Sequence, residues 1–231
     1  MKKSKNECDS NSCFMCKNSI KEWLPAIVAN KTNFKVKKGE VIFKEGDPVT
    51  GIYFVYEGNV KVHKKWGVDK ELIIRFANNG AIFGHRGLGT PSAIYPISAT
   101  ALEDGVICYV DNEFFESTLK VNPEFTYKLM LFFADELREA EKKMRNLAHM
   151  TVKGRVAQAL LSLKQQFGVN GEGHINIELT RQDLASYTGA TYETVFRVMN
   201  ELLKEDIVQT TGKKIIINDP EKLLELTSEE L

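Results

Sequence analysis

The 231-residue chain carries 31 Lys plus Arg against 31 Asp plus Glu, so its formal charge is zero and no polyelectrolyte field coats it. With 43% hydrophobic residues it can fill one large core or two modest ones, and two is the expectation. No apolar run reaches the roughly 18 residues a membrane span needs, and the opening MKKSKNECDS lacks an export signal's hydrophobic stretch, so a soluble, cytoplasmic protein with no membrane partner is expected.

Residues 1–33 are read as a cysteine-bearing segment followed by a helix. Cys8, Cys13 and Cys16 stand close together in NECDSNSCFMCKNS, and Cys108 lies far downstream on a predicted strand. Without an export signal, such thiols point away from structural disulfides and towards metal or redox chemistry. Three soft ligands on one flexible segment can wrap a centre that a fourth closes, which suits an iron–sulfur cluster or zinc. Lys2, Lys3, Lys5 and Lys17 would favour the thiolates. The C-x4-C-x2-C spacing matches the plant-type [2Fe–2S] order. The alternatives are a thiol switch, or cysteines that bind nothing, with Cys108 an ordinary buried strand residue.

Residues 34–120 alternate short β-rich runs with Gly-bearing turns: VIFKEGD, GIYFVYEGNVKVHKKWG, ELIIRFANNGAIFG and YPISATALEDGVICYV. That spacing predicts an antiparallel β-barrel or jelly roll, with Gly58, Gly67 and Gly80 in turns. After Pro123 the pattern switches to a helix from Glu124 to about Ala148, inside a segment 121–150. Met130, Phe133, Leu137, Ala140, Met144 and Leu147 recur in steps of three and four, the spacing of a coiled-coil seam, which reads as a parallel dimer helix, the alternative being a stripe that covers the barrel.

Residues 151–231 read as a winged helix-turn-helix. Val152 to Phe167 is amphipathic. Thr180 is a candidate N-cap with Asp183 three residues on, opening a helix that runs to about Tyr187. Gly189 permits a tight turn, and Thr191 can cap a second helix from Tyr192 to about Lys204. Val195, Val198, Met199 and Leu202 face inward at the helical period, while Tyr192, Glu193, Phe196, Arg197 and Asn200 face out. Two aromatics and an acid beside an arginine are unusual on a solvated face. In the major groove, Arg197 can donate to guanine O6 and N7, and Glu193 can accept from cytosine N4. The competing reading is a plain i, i+4 surface ion pair between them, worth about 0.3–0.5 kcal/mol. Strands at Ile207–Thr210 and Lys214–Ile217 flank Thr211-Gly212-Lys213, and Lys213 and Lys214 at this tip can meet phosphate or form a solvated turn. Between Thr151 and Ile217 stand eight Lys and Arg against seven acids, so affinity must rest on a few placed contacts and on dimer symmetry.

The run TRQDLASYTGATYETVFRVM resembles the helix-turn-helix of the CRP/FNR superfamily of bacterial transcription regulators, in its TRQ opening, central Gly and E-T-V-x-R core. KKGEVIFKEGDPVTGIYFVYEGNVKV is similar to that family's sensory barrel. The resemblance implies an α+β fold: an N-terminal cyclic-nucleotide-binding-like barrel, a long dimerisation helix and a C-terminal winged helix-turn-helix. It implies a homodimer on a palindromic double-stranded operator, working with RNA polymerase as activator or repressor. The DNA-contact set it implies is Thr180, Arg181, Thr191, Tyr192, Glu193, Phe196, Arg197 and Lys213, with Glu193 and Arg197 keeping the family identities and Tyr192 and Phe196 departing from them.

In cyclic-nucleotide-binding relatives a glutamate meets the ribose and an Arg-Ser pair meets the phosphate. Here His85 and Tyr95-Pro96 stand at those places, so the phosphate charge would go uncompensated and cyclic AMP is disfavoured. His85 and Arg86 are read as structural, or as lining an interface or a pocket for something else, and with Ser98 they make the candidate set for such an effector pocket. ALEDGVIC, ending at Cys108, resembles the stretch carrying the distant ligand of FNR's oxygen-labile [4Fe–4S] cluster. The implied metal set is Cys8, Cys13, Cys16 and Cys108, although FNR's own spacing, C-x2-C-x5-C, differs and leaves the nuclearity open. The expected function is a regulator responding to oxygen, redox state or a small signal. The alternative is a regulator answering a nucleotide or metabolite with no metal cluster. There is no nucleophile motif, P-loop or HExxH, and His63, His85, His149 and His174 are scattered, so no enzyme is expected.

Overall fold

The computed structural model describes residues 1–3, 11–67, 70–89 and 94–228. In chain order the elements are β1 (Lys2–Lys3), α1 (Phe14–Asn18), α2 (Leu24–Asn30), β2 (Lys31–Val36), β3 (Val41–Phe43), β4 (Gly51–Glu57), β5 (Val60–Trp66), β6 (Lys70–Ala77), β7 (Ile82–Phe83), β8 (Ser98–Ala101), β9 (Gly105–Asp111), α3 (Asn112–Val121), α4 (Pro123–His149), α5 (Val152–Phe167), α6 (Arg181–Thr188), α7 (Tyr192–Lys204), β10 (Val208–Thr211), β11 (Lys214–Ile217) and α8 (Pro220–Glu225). The chain divides into two compact units, 1–136 and 137–231, with the division inside α4.

In the first unit two sheets, ordered β1-β2-β9-β4-β7 and β3-β8-β5-β6, face one another as a jelly roll. Successive side chains of a strand point to opposite faces, and that alternation sorts the residues into two cores. On β4, Tyr53 and Val55 join Phe43, Val62, Phe83, Tyr95 and Ile107 between the sheets. Its alternate residues Ile52 and Phe54 face the other way, into a second core with Ile82, Val110 and Phe115. Cys108 on β9 obeys the same alternation. Its partners across the sheet are Asn33 on β2 and Phe54 on β4, so its side chain joins the second core rather than the first.

That second core is closed by helices. Met15 of α1, Ile27 of α2, Phe115 of α3, and Phe125 and Leu129 of α4 are all buried in it. Polar ties hold the cover in place: the Trp23 indole donates to Thr118 Oγ1 at 3.0 Å, and the Ile20 amide donates to the buried Asn122 Oδ1 at 2.8 Å.

In the second unit the helix-turn-helix forms as its local signals require. α5 spans the expected residues, α6 ends one residue beyond expectation, and α7 begins and ends at the expected residues. Strand β10 starts one residue later than its sequence pattern suggests, because its register is set by pairing Val208 with Ile217. Helix α4 starts one residue earlier and ends one later than expected. No helix among the described residues is long and apolar enough to cross a membrane.

Candidate nucleic-acid interface and sensory site

Three threonine caps fix the reading head. Thr151 Oγ1 accepts from the Gly154 amide at 3.1 Å to open α5. Thr180 Oγ1 accepts from the Asp183 amide at 2.9 Å while Asp183 reaches back to the Thr180 amide at 3.2 Å, a reciprocal capping box that opens α6. Gly189 ends α6 at φ 64, ψ 39, a left-handed conformation that a side chain would strain. Thr191 Oγ1 then accepts from the Thr194 amide at 3.3 Å, starting α7. The structure thus places Thr180 and Thr191 as caps whose hydroxyl oxygens accept from backbone amides, with Thr180 also donating to Asp183 and Thr191 also pairing with the Thr194 hydroxyl.

The apolar face of α7 is consumed by the core: Val195, Val198, Met199 and Leu202 are buried. Tyr192, Glu193, Phe196 and Arg197 are exposed on the other side. Neither Glu193 nor Arg197 makes an ion pair or hydrogen bond among the described residues, so the i, i+4 surface pair is not formed and both groups stand available. Arg181, the first residue of α6, is half-buried, and burial lowers its pKa while nearby Tyr192 opposes the shift. Lys213 is exposed at the wing turn beside Gly212, which has φ +63.

Some basic groups of this unit serve the fold instead. Arg155 donates through Nε to the Thr188 carbonyl at 2.9 Å and through Nη1 to the Met150 carbonyl at 2.8 Å, satisfying the ends of α6 and α4. Lys153 pairs with Glu205 at 3.0 Å. The sequence gives no sign of this, since both lysine and arginine look like phosphate ligands until their distant partners are known.

In the jelly roll, the three sequence candidates for an effector pocket do not act as one group. His85 and Arg86 converge on Glu136 of α4, with Arg86 Nη2 at 2.8 Å and His85 Nε2 at 3.9 Å from Glu136 Oε2. Arg75 of β6, absent from the sequence candidates, approaches the same carboxylate at 3.5 Å, lies over the Phe132 ring at 5.5 Å and donates to the Ile82 carbonyl. Burial, with Arg75 and Arg86 beside it, pushes His85 well below the usual histidine range, so its ring is neutral. Ser98 instead accepts from the Glu45 amide at 2.9 Å. Glu136→Gln would leave two guanidinium groups without a counter-charge, so a destabilisation of about 2–3 kcal/mol in chemical denaturation is expected. An unchanged midpoint would show that the cluster carries no weight.

The space between the sheets is filled by rings. Phe43 and Tyr95 stack with centroids 4.0 Å apart, Tyr53 and Phe83 lie against Phe43 at 5.4 and 6.1 Å, and the Tyr95 hydroxyl donates to the Gly51 carbonyl at 2.7 Å. With Tyr95 in the core and Arg86 held by Glu136, the residues present do not fit a cyclic nucleotide phosphate.

The thiols are placed otherwise. Cys13, Cys16 and Cys108 are 3%, 6% and 2% exposed and share the helix-covered core. The donor chemistry fits a soft metal centre. Among the described residues no three His, Cys, Asp or Glu side chains converge as a closed ligand group, and Cys8 lies outside the described residues.

Residues 154–226 match the model of the Crp-like helix-turn-helix domain and residues 33–122 that of the cyclic nucleotide-binding domain. An anaerobic regulatory protein of Bacillus subtilis is 30% identical over 189 residues, 80% of this chain and 79% of that one. The chain belongs to the CRP/FNR family. It is a DNA-binding transcription regulator of that type and not an enzyme. The transcriptional activator protein anr of Pseudomonas aeruginosa is 28% identical over 198 residues, covering 85% of this chain and 80% of its own. A CRP-like cAMP-activated global regulator of Mycobacterium tuberculosis is 27% identical over 188 residues, 80% of this chain and 84% of its own. Among solved structures, FixK2 from Bradyrhizobium japonicum is similar with a TM-score of 0.77 and 27% identity, covering 87% of this chain and 99% of that one. Regulators described by different signals match about equally well, so kinship fixes the output of this family member and leaves its input to its own residues. Both family models begin after residue 32, so Cys8, Cys13 and Cys16 stand outside them.

Proposed function

We propose that this regulator is a cytoplasmic homodimer that binds a palindromic operator through α7, and that its N-terminal cysteines report oxygen or redox state to the dimer helix. One observation carries the sensory part: Cys13, Cys16 and Cys108 lie in the same buried core as Phe125 and Leu129 of α4. A change at the thiols therefore repacks the base of the helix that bears the apolar seam, and close-packed cores transmit such changes. Cys13, Cys16 and Cys108, with Cys8, would hold an iron–sulfur cluster. When bound, such a cluster supplies a centre that oxygen degrades.

Protein purified without oxygen is expected to be brown, to contain iron and acid-labile sulfide, and to lose operator affinity on exposure to air. Cys13→Ala and Cys16→Ala should abolish both the colour and the oxygen response. Colourless, metal-free protein whose operator binding ignores air would overturn the sensory assignment and leave the DNA-binding one intact.

For the output, Arg197→Ala is expected to cost about 1–3 kcal/mol on the specific site and to relax base preference at one position. Lys213→Ala should instead weaken binding to all sequences alike and lower the salt dependence by about one ion. Selection of an unchanged motif by Arg197→Ala would remove arginine from the base-reading set.

A further inference from the structure

The rings of Tyr192 and Phe196 lie outside the buried core. They are 43% and 49% exposed on a helix whose apolar face is already buried through Val195, Val198, Met199 and Leu202. They nevertheless pair with each other: the centroids are 6.2 Å apart and the planes differ by 17°, so the two nearly parallel rings make an aromatic plate whose one polar group is the Tyr192 hydroxyl. The plate occupies the first turn and the start of the second turn of α7. That is the end of a recognition helix that enters the groove.

Two i, i+4 strips run side by side there. Glu193 and Arg197 make the polar strip, and Tyr192 and Phe196 make the aromatic one, each displaced by one residue and hence about 100° around the helix. Both strips can face a groove at once, with adjacent base pairs beneath them. Over the polar edges of guanine, cytosine or adenine, the ring carbons would strip water from donors and acceptors, and the Tyr192 hydroxyl is the one group of the pair that could return a hydrogen bond. The C5 methyl of thymine is the apolar group that the unmodified major groove offers. Contact with it removes carbon surface from water on both sides.

We propose that Tyr192 and Phe196 are a specificity element that reads thymine methyl groups, so that each half-site carries thymine next to the G·C pair met by Glu193 and Arg197. The assignment rests on α7 being the groove-reading helix. It concerns which base pairs flank the polar contact, and it draws on the ring geometry rather than on the charges.

The test begins with selection from a random duplex library by full-length protein purified without oxygen, followed by affinity measurement on the selected operator. Replacing the flanking thymine by deoxyuridine in both half-sites keeps every hydrogen bond and removes only the methyl. The expected result is a loss of about fivefold or more, with the variant carrying both Tyr192→Ala and Phe196→Ala binding the two duplexes equally. Where T·A is replaced by C·G, 5-methylcytosine should recover part of the loss that cytosine incurs. Affinity within twofold after deoxyuridine replaces every thymine of both half-sites overturns the proposal, and so does a variant carrying both Tyr192→Ala and Phe196→Ala that still distinguishes thymine from deoxyuridine. If the selection returns no preferred sequence, the reading of α7 itself falls. A clear operator that is indifferent to methyl removal strikes only the aromatic assignment. Tyr192 and Phe196 are exposed, so their alanine variants should fold, and an unchanged thermal midpoint checks this.

Discussion

Leu137→Asp is expected to turn a dimer into a monomer and to lower operator affinity by about a hundredfold or more. Leu137 is 60% exposed on α4, and Met130, Phe133, Met144 and Leu147 on the same seam are also exposed, although each is large and apolar. A row of such residues at heptad spacing is stable only when a second helix covers it. A carboxylate at its centre would be desolvated without a partner, which disfavours association. The DNA unit has little net positive charge, so a monomer holding one half-site loses the effective concentration that joins two weak contacts, typically worth 10²- to 10⁴-fold. Sedimentation and fluorescence anisotropy check the two halves of this expectation. Lys142→Asp, on the polar side of the same helix, is the control for helix stability. A Leu137→Asp protein that remains dimeric would move the interface elsewhere.

The second large effect is expected at Gly80. Its φ is +81, and an added Cβ would fall 2.1 Å from the Ser12 carbonyl oxygen, while its own carbonyl accepts from the Phe14 amide at 2.9 Å. This glycine therefore does more than turn the chain after β6: it is the place where the segment carrying Cys13 lies against the sheet. Gly80→Ala combines left-handed strain of about 1 kcal/mol or more with a backbone clash that nothing flexible can relieve. We expect the Cys13 segment to leave its seat. The measurement is the rate of thiol alkylation: Cys13 and Cys16 should label many times faster than in the parent protein, and Cys108, on the strand between β2 and β4, should stay protected. Equal rates at all three thiols before and after the substitution would show that Gly80 does not hold the segment. An oxygen response that survives faster labelling would separate the seating of Cys13 from sensing.

The DNA-reading unit was the most legible part of the chain. Thr151, Thr180, Thr191 and Gly189 set helix ends through hydrogen bonds or dihedral angles that span a few residues, and the 3.6-residue period of α5 and α7 shows which face is buried. The jelly roll was legible as a class, because alternating β-rich runs and turn glycines repeat along residues 34–120. Its strand order was not, since pairing β9 between β2 and β4 is a choice among distant partners that local pattern does not encode. Consequently the sequence suggested His85, Arg86 and Ser98 as one pocket, whereas the sheets carry Ser98 to Glu45 and bring Arg75 and Glu136 to the other two. For the same reason local pattern does not show that Arg155 and Lys153 have partners on α6 and near the end of α7.

The features that mark the DNA-binding end are local: a capped helix pair, an exposed face of α7 and an apolar seam, all written in residues close together along the chain. The grouping of the thiols comes from tertiary contacts. Cys13 and Cys16 become neighbours of Cys108 and of the α4 base because strand alternation turns Cys108 towards the helices and Gly80 lets the N-terminal segment approach the sheet. Local free energies of about 1 kcal/mol set caps and turns. Burial of distant apolar groups, summed over many contacts, sets which distant residues meet.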